Sequence, residues 1–107
     1  MNAVFISGPY TGRPFAKLAF ARAARNLKDA GFRPINPTRI VPREWGQDQA
    51  MELCLKLVDI SDAVLQLDGW NESVGAVKEW HHALASNKPL YRSVADLRWN
   101  RPMKYNY

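Results

Sequence analysis

The feature that most constrains this chain is a repeated change of period. Short apolar runs of strand length alternate with longer stretches whose apolar residues recur at helical spacing. Ala3 to Ile6 is the first run, closed by the turn-forming Ser7-Gly8-Pro9. A helical stretch opens at Arg13-Pro14 and ends before Gly31, with Ala16, Phe20, Ala23, Leu27 and Ala30 on one stripe. Phe32 to Ile35 is a second strand, stopped by Asn36-Pro37 because proline disfavours helix at the residue before it and removes a donor. A loop of roughly ten residues then leads to a second helix from Asp48, with Met51, Cys54, Leu55 and Val58 on one face. Asp62 to Leu67 is a third strand and Asp68-Gly69-Trp70 its turn. Ser73 can cap a third helix, striped by Val77, Trp80 and Leu84, and Leu90 to Val94 is a fourth strand. Such alternation predicts an α/β fold: an open, mostly parallel sheet with helices on both faces.

With 107 residues, the chain holds one domain of ordinary globular make-up, 47% hydrophobic and 23% charged. No apolar run approaches the ~20 residues of a membrane span, and the start lacks a secretory signal, so the expectation is a soluble, cytoplasmic protein. The single cysteine, Cys54, excludes an internal disulfide, and no Cys/His spacing suits zinc. The adjacent His81 and His82 point about 100° apart on a helix, which does not make a metal pair. Neither a metal nor a cofactor is expected.

Fifteen Lys and Arg against ten Asp and Glu leave a net charge of +5, which suits anionic partners. Part of the excess lies in a tail, residues 95–107, that follows a domain at 1–94. It carries Arg98, Arg101 and Lys104 with Trp99, Tyr105 and Tyr107. This basic aromatic segment fits packing on a neighbouring subunit, a frayed terminus, or binding to nucleic acid.

Parallel sheets bind ligands at the carboxyl ends of their strands. Here those ends are Ser7 to Gly12, Asn36-Pro37, Asp68 to Ser73, and Ser93. The first offers Ser7, Gly8, Gly12 and Arg13, with close backbone approach, hydroxyls, amides and a cation near a helix start; a plain tight turn reads the same way. It is neither a Rossmann fingerprint nor a Walker loop. Glu79 falls at the border of its helix's apolar arc beside Ala76 and Ala83, the place of a catalytic carboxylate or of a boundary residue reaching water. Trp45 and Trp70 sit in loops at the same edge, able to stack on a base or to cover the core. Cys54 reads as a small core residue.

Ile6-Ser7-Gly8-Pro9-Tyr10-Thr11-Gly12, Asn36-Pro37, Asp62-Ala63-Val64-Leu65, Gly69-Trp70 and Ser73-x-Gly75-Ala76-x-x-Glu79 together resemble the nucleoside 2-deoxyribosyltransferase-like superfamily. Within it, the likeness is to a small, largely uncharacterised branch of phage and bacterial genomes. The resemblance implies a flavodoxin-like fold and an enzyme, an N-glycosidase or deoxyribosyltransferase. Glu79 then matches the nucleophile, with Tyr10 and Ser73 as donors that keep it ionised; Ser7, Gly8, Gly12, Arg13, Asn36, Trp70, Ser73 and Gly75 match substrate-binding positions. Serine at 73, where enzymes acting on free nucleosides tend to have aspartate, points to a nucleoside 5'-monophosphate, since a carboxylate would repel the phosphate. Members are commonly homo-oligomers. The likeness also places Cys54 where some members carry an aspartate that assists the leaving base; Asp48 and Asp68 are the candidate substitutes, neither of them in register with it. The alternatives are a catalytically silent nucleotide-binding module, or a nucleic-acid binder working through the tail.

Overall fold

The computed structural model describes residues 2–104. Four parallel strands, β1 (Ala3–Ser7), β2 (Arg33–Ile35), β3 (Ala63–Gln66) and β4 (Leu90–Tyr91), form one sheet in the order β2-β1-β3-β4. The helices are α1 (Ala16–Asp29), α2 (Pro37–Ile40), α3 (Gln47–Ile60), α4 (Val74–Ala85) and α5 (Val94–Arg98), with a 3-10 turn at Trp70–Glu72. This is the flavodoxin-like arrangement that the alternation and the resemblance imply. No helix of the described residues is long and apolar enough to cross a membrane.

Period-2 alternation along the strands divides the core into two layers. Val4 and Ile6 of β1 join Ala63, Leu65 and Tyr91 under Phe20, Ala23 and Leu27 of α1. The intervening positions, Phe5, Val64 and Leu90, face the other way and pack with Cys54, Leu57 and Val58 of α3 and Ala83 of α4. Because β1 and β3 are buried on both faces, they read in sequence as continuous apolar runs.

The structure refines several boundaries. Helix α1 starts at Ala16, after a turn through Arg13 to Phe15, and its N-cap Phe15 supplies no side-chain bond. The expected loop after Asn36 contains a helical turn, because the Asn36 side chain accepts from the Thr38 amide at 3.1 Å and Pro37 preorganises the first turn.

The fourth strand has two residues rather than five. Ser93 caps α5 by accepting from the Asp96 amide at 3.0 Å, which turns the chain out of the sheet. Within the tail, Leu97 of α5 packs, partly buried, on the α1 layer and Met103 packs, partly buried, on the α3/α4 layer. Trp99 stays 73% exposed; Tyr105 and Tyr107 lie outside the described residues.

Candidate active site

Strand order reverses direction between β1 and β3: the chain leaves β1 toward one edge of the sheet and leaves β3 toward the other. The crevice above such a switch point is where open α/β sheets bind ligands. Ser7 ends β1 there and pairs in register with Gln66, the last residue of β3. Both continue the Phe5 and Val64 parity, so both side chains lie on the face covered by α3 and α4.

Glu79 reaches this crevice from the second turn of α4. The start of α4 is fixed by Ser73, whose hydroxyl accepts from the Ala76 amide at 3.2 Å. Its neighbours on the buried arc are small, Ala76 and Ala83, which lets a carboxylate lie against the sheet. Glu79 is only 6% exposed, and the Ser7 hydroxyl donates to its Oε1 at 2.6 Å. The Cys54 thiol of α3 lies beside it and favours its charged form more weakly.

Burial pushes the Glu79 carboxyl up to about 7, against the pull of the two donors, Ser7 and then Cys54. The thiol pays the complementary penalty. Cys54 is pushed up to about 12, mostly by burial, with the Glu79 charge and hydrogen bond adding to it. A carboxylate poised near neutrality at a strand-end crevice can act as nucleophile or base; a thiol held that high cannot readily give up its proton.

Of the residues singled out in the sequence, Ser7 and Glu79 meet directly. Tyr10 and Ser73, expected to support Glu79, make other contacts: Tyr10 stands edge-on to Phe20 with ring centroids 6.0 Å apart, and Ser73 caps its helix. Arg13 pairs with Glu72 at 3.1 Å, which ties the turn after β1 to the turn after β3. Gly8 lies so close to that second turn that a Cβ would sit 2.8 Å from Leu67 Cβ. Gly12 has φ +75°, a left-handed turn position, with open space around it. Gly75 faces Met51, whose Cε would lie 3.1 Å from an added Cβ. Trp70 stacks on Trp80 at 5.4 Å and 23°. Asn36 is buried and spends its side chain on Thr38.

The resemblance brings Cys54 to the site, but only the approach of α3 to α4 sets it beside Glu79. One site feature escapes a sequence reading. Gln66 ends an apolar strand and is 1% exposed. The two histidines do other work: His82 Nε2 meets Asp59 of α3 at 2.7 Å, and His81 stands edge-on to Trp80 at 5.0 Å. Among the described residues no group of three His, Cys, Asp or Glu is placed to hold a metal ion.

A family model covers residues 2–91 and is described as a domain of unknown function, DUF4406. The chain belongs to this family. No curated protein matches it. Among solved structures, the DUF4406 chain is similar in fold to a 2-deoxyribosyltransferase from the psychrotolerant bacterium Bacillus psychrosaccharolyticus. The TM-score is 0.67 over 98% of this chain and 85% of that one, at 14% identity. That enzyme is described as a biocatalyst for nucleoside synthesis. The likeness is one of fold, and it agrees with the flavodoxin-like arrangement described above.

Proposed function

We propose that the chain is a nucleoside glycosyl-transfer enzyme that cleaves the N-glycosidic bond of a (deoxy)nucleoside 5'-monophosphate. The observation that carries this reading is the buried Glu79 carboxylate, held by Ser7 and Cys54 at the switch point of the sheet. The fold it shares with a 2-deoxyribosyltransferase supports it.

Glu79 attacks the anomeric carbon, forming a C–O bond as the C–N bond breaks and the base departs with the electron pair. Water, or a second base, then attacks the same carbon and releases the carboxylate. Only ionised Glu79 can attack, and a group titrating at about 7 is roughly half ionised at neutral pH. The Ser7 and Cys54 bonds favour that form. In this reading Arg13, the turn amides after β1 and the Ser73-Gly75 start of α4 hold the 5'-phosphate; the turns after β1 and β3 are joined by the Arg13–Glu72 bridge. Tyr10, 42% exposed on the first turn, contacts the sugar or base in this reading. Homo-oligomerisation belongs to the same reading, with Val74 and Trp99, 75% and 73% exposed, as apolar groups a second copy would cover. Light scattering measures it.

A specific observation favours a second reading, a silent nucleotide-binding module. Cys54, pushed up to about 12, is a poor acid for a departing base. Incubation with a panel of nucleoside monophosphates and NAD, followed by chromatography for free base, separates the two. Base release lost in Glu79→Gln supports the enzyme. Binding without release from any of them leaves the module.

A further inference from the structure

Two buried side chains on one face of the sheet each lack what the other can supply. The first is Gln66, the last residue of β3. It is 1% exposed, neither of its amide atoms, Nε2 or Oε1, is open to solvent, and among the described residues neither has a hydrogen-bond partner. Buried amides are nearly always paired, since an unmet donor or acceptor forfeits its hydration without return. Val64, two residues earlier on the same face, is apolar and fully buried. An apolar side chain at 66 would fill its space without the penalty, so packing alone does not account for the amide.

The second is Glu79. An ionised carboxylate accepts at two oxygens and about four lone-pair positions, and a buried one keeps its charge where donors fill several of them. Glu79 receives one short bond, from the Ser7 hydroxyl at 2.6 Å, with the Cys54 thiol beside it favouring the charged form more weakly. Asp59 of α3 and His82 of α4 pair with each other nearer the surface, and Glu52, Lys56 and Lys78 of the same helices are exposed. Burial outweighs the two donors and holds the carboxyl at about 7. The charged form is short of a donor.

The register sets the two side by side. Ser7 and Gln66 are partners on neighbouring parallel strands, which lie about 4.8 Å apart, and they share the parity that faces α3 and α4. The hydroxyl that holds Glu79 therefore has the unpaired amide as its neighbour. Glutamine carries its amide two methylenes out from the backbone, long enough to span the gap between adjacent strands, and its Nε2 has two hydrogens to give.

We propose that Gln66 is a positioning residue for the nucleophile, its Nε2–H donating to the Glu79 carboxylate when that group is charged. One bond then meets both deficits. The amide arrives by rotation about its own side-chain torsions, the last of which is broad in glutamine, so no backbone movement is asked of the sheet. The inference rests on the glycosyl-transfer reading for the use made of the charge; Gln66 itself touches no substrate.

The test follows the ionisation itself. Carboxyl carbon NMR on the full chain, with the Glu79 signal assigned by its loss in Glu79→Gln, measures the Glu79 pKa without any substrate. Gln66→Met, similar in shape but without the amide, should raise that pKa by about one unit or more, the scale of a hydrogen bond to a charged group. The same variant should raise the thermal midpoint by about 4 °C or more at pH 5, where Glu79 is protonated and an unpaired amide is removed. That gain should shrink at pH 8.5, where the wild type holds a charged Glu79 and the variant has lost its donor. In the Glu79→Gln background, Gln66→Met should shift the midpoint equally at both pH values. An unmoved pKa, a midpoint gain that is the same at pH 5 and pH 8.5 in the wild-type background, or a midpoint lowered at pH 5 overturns the proposal. Assays of base release separate it from the reading it rests on. A pKa that moves in a chain releasing no base leaves the pairing standing and removes the glycosidase; base release with an unmoved pKa leaves the glycosidase standing without Gln66.

Discussion

The Ser7 hydroxyl and the Glu79 carboxylate, 72 residues apart in the chain, meet at 2.6 Å in the interior. One comes from the end of a central strand, the other from the second turn of a helix lying on that strand's face. The bond favours the charged carboxylate, so Ser7→Ala should raise the Glu79 pKa further. A hydrogen bond to a charged group is worth about 1.5–3 kcal/mol, or roughly one to two units. The acid limb of the pH–rate profile for base release should move up accordingly. An unmoved limb would separate Ser7 from the ionisation.

Glu79 itself should weaken the fold as pH rises. Its folded pKa, about 7, exceeds the ordinary 4.5, so between these values the folded state holds the extra proton. Stability therefore falls with increasing pH across that window, by about 3 kcal/mol in all. Glu79→Gln cannot ionise. In urea titrations it should match the wild type near pH 4 and exceed it at pH 8, with no difference at pH 8 counting against a buried charge.

Cys54 should be inert in the native protein. A thiol pushed up to about 12 and 8% exposed has almost no thiolate at pH 8, so alkylation by iodoacetamide should await unfolding. Because Glu79 contributes to that shift, Glu79→Gln should speed the reaction at matched pH. Rapid labelling of the folded wild type contradicts the geometry.

Glycines 8 and 75 should respond differently to alanine. At Gly8 the new Cβ meets Leu67 Cβ at 2.8 Å, on a turn whose backbone is bonded to β1, so something rigid must shift. A loss of about 1–3 kcal/mol is expected by denaturation. At Gly75 the obstacle is the end of a methionine side chain, Met51 Cε, which can rotate away. Gly75→Ala should lose less than Gly8→Ala.

Arg13→Ala should leave stability within about 1 kcal/mol of wild type, since its bridge to Glu72 is exposed on both sides. Affinity for a nucleoside monophosphate should fall while that for the free nucleoside does not, measured by calorimetry in the Glu79→Gln background. Equal losses for both ligands would remove Arg13 from the phosphate.

The architecture was legible because each layer leaves a period in the sequence: Phe20, Ala23 and Leu27 for the helix, Val4 to Ile6 and Ala63 to Leu65 for strands buried on two faces. Glu79 was legible as a charge between two alanines on an apolar arc. Its donors were not. Tyr10 and Ser73 are near it in motif, whereas Ser7 and Cys54 are near it only once α3 and α4 close over the sheet. The short fourth strand was hidden for a similar reason: Leu90 to Val94 is apolar enough for five residues of strand, but the Ser93 cap takes the chain away after two. Leu97 and Met103 have no helical or strand period between them, because each packs, partly buried, on a different layer.

Helices α3 and α4 meet at two levels, with Cys54 beside Glu79 in the interior and Asp59 bonded to His82 nearer the surface. The charge on one carboxyl thus depends on how closely two helices lie. Were they to part by the width of a water molecule, Glu79 would lose its thiol partner and its dry surroundings together, and its titration would drift back toward that of an ordinary glutamate. A single carboxyl resonance followed through a pH titration would serve as a ruler between α3 and α4, reporting in solution whether a ligand tightens or loosens the scaffold.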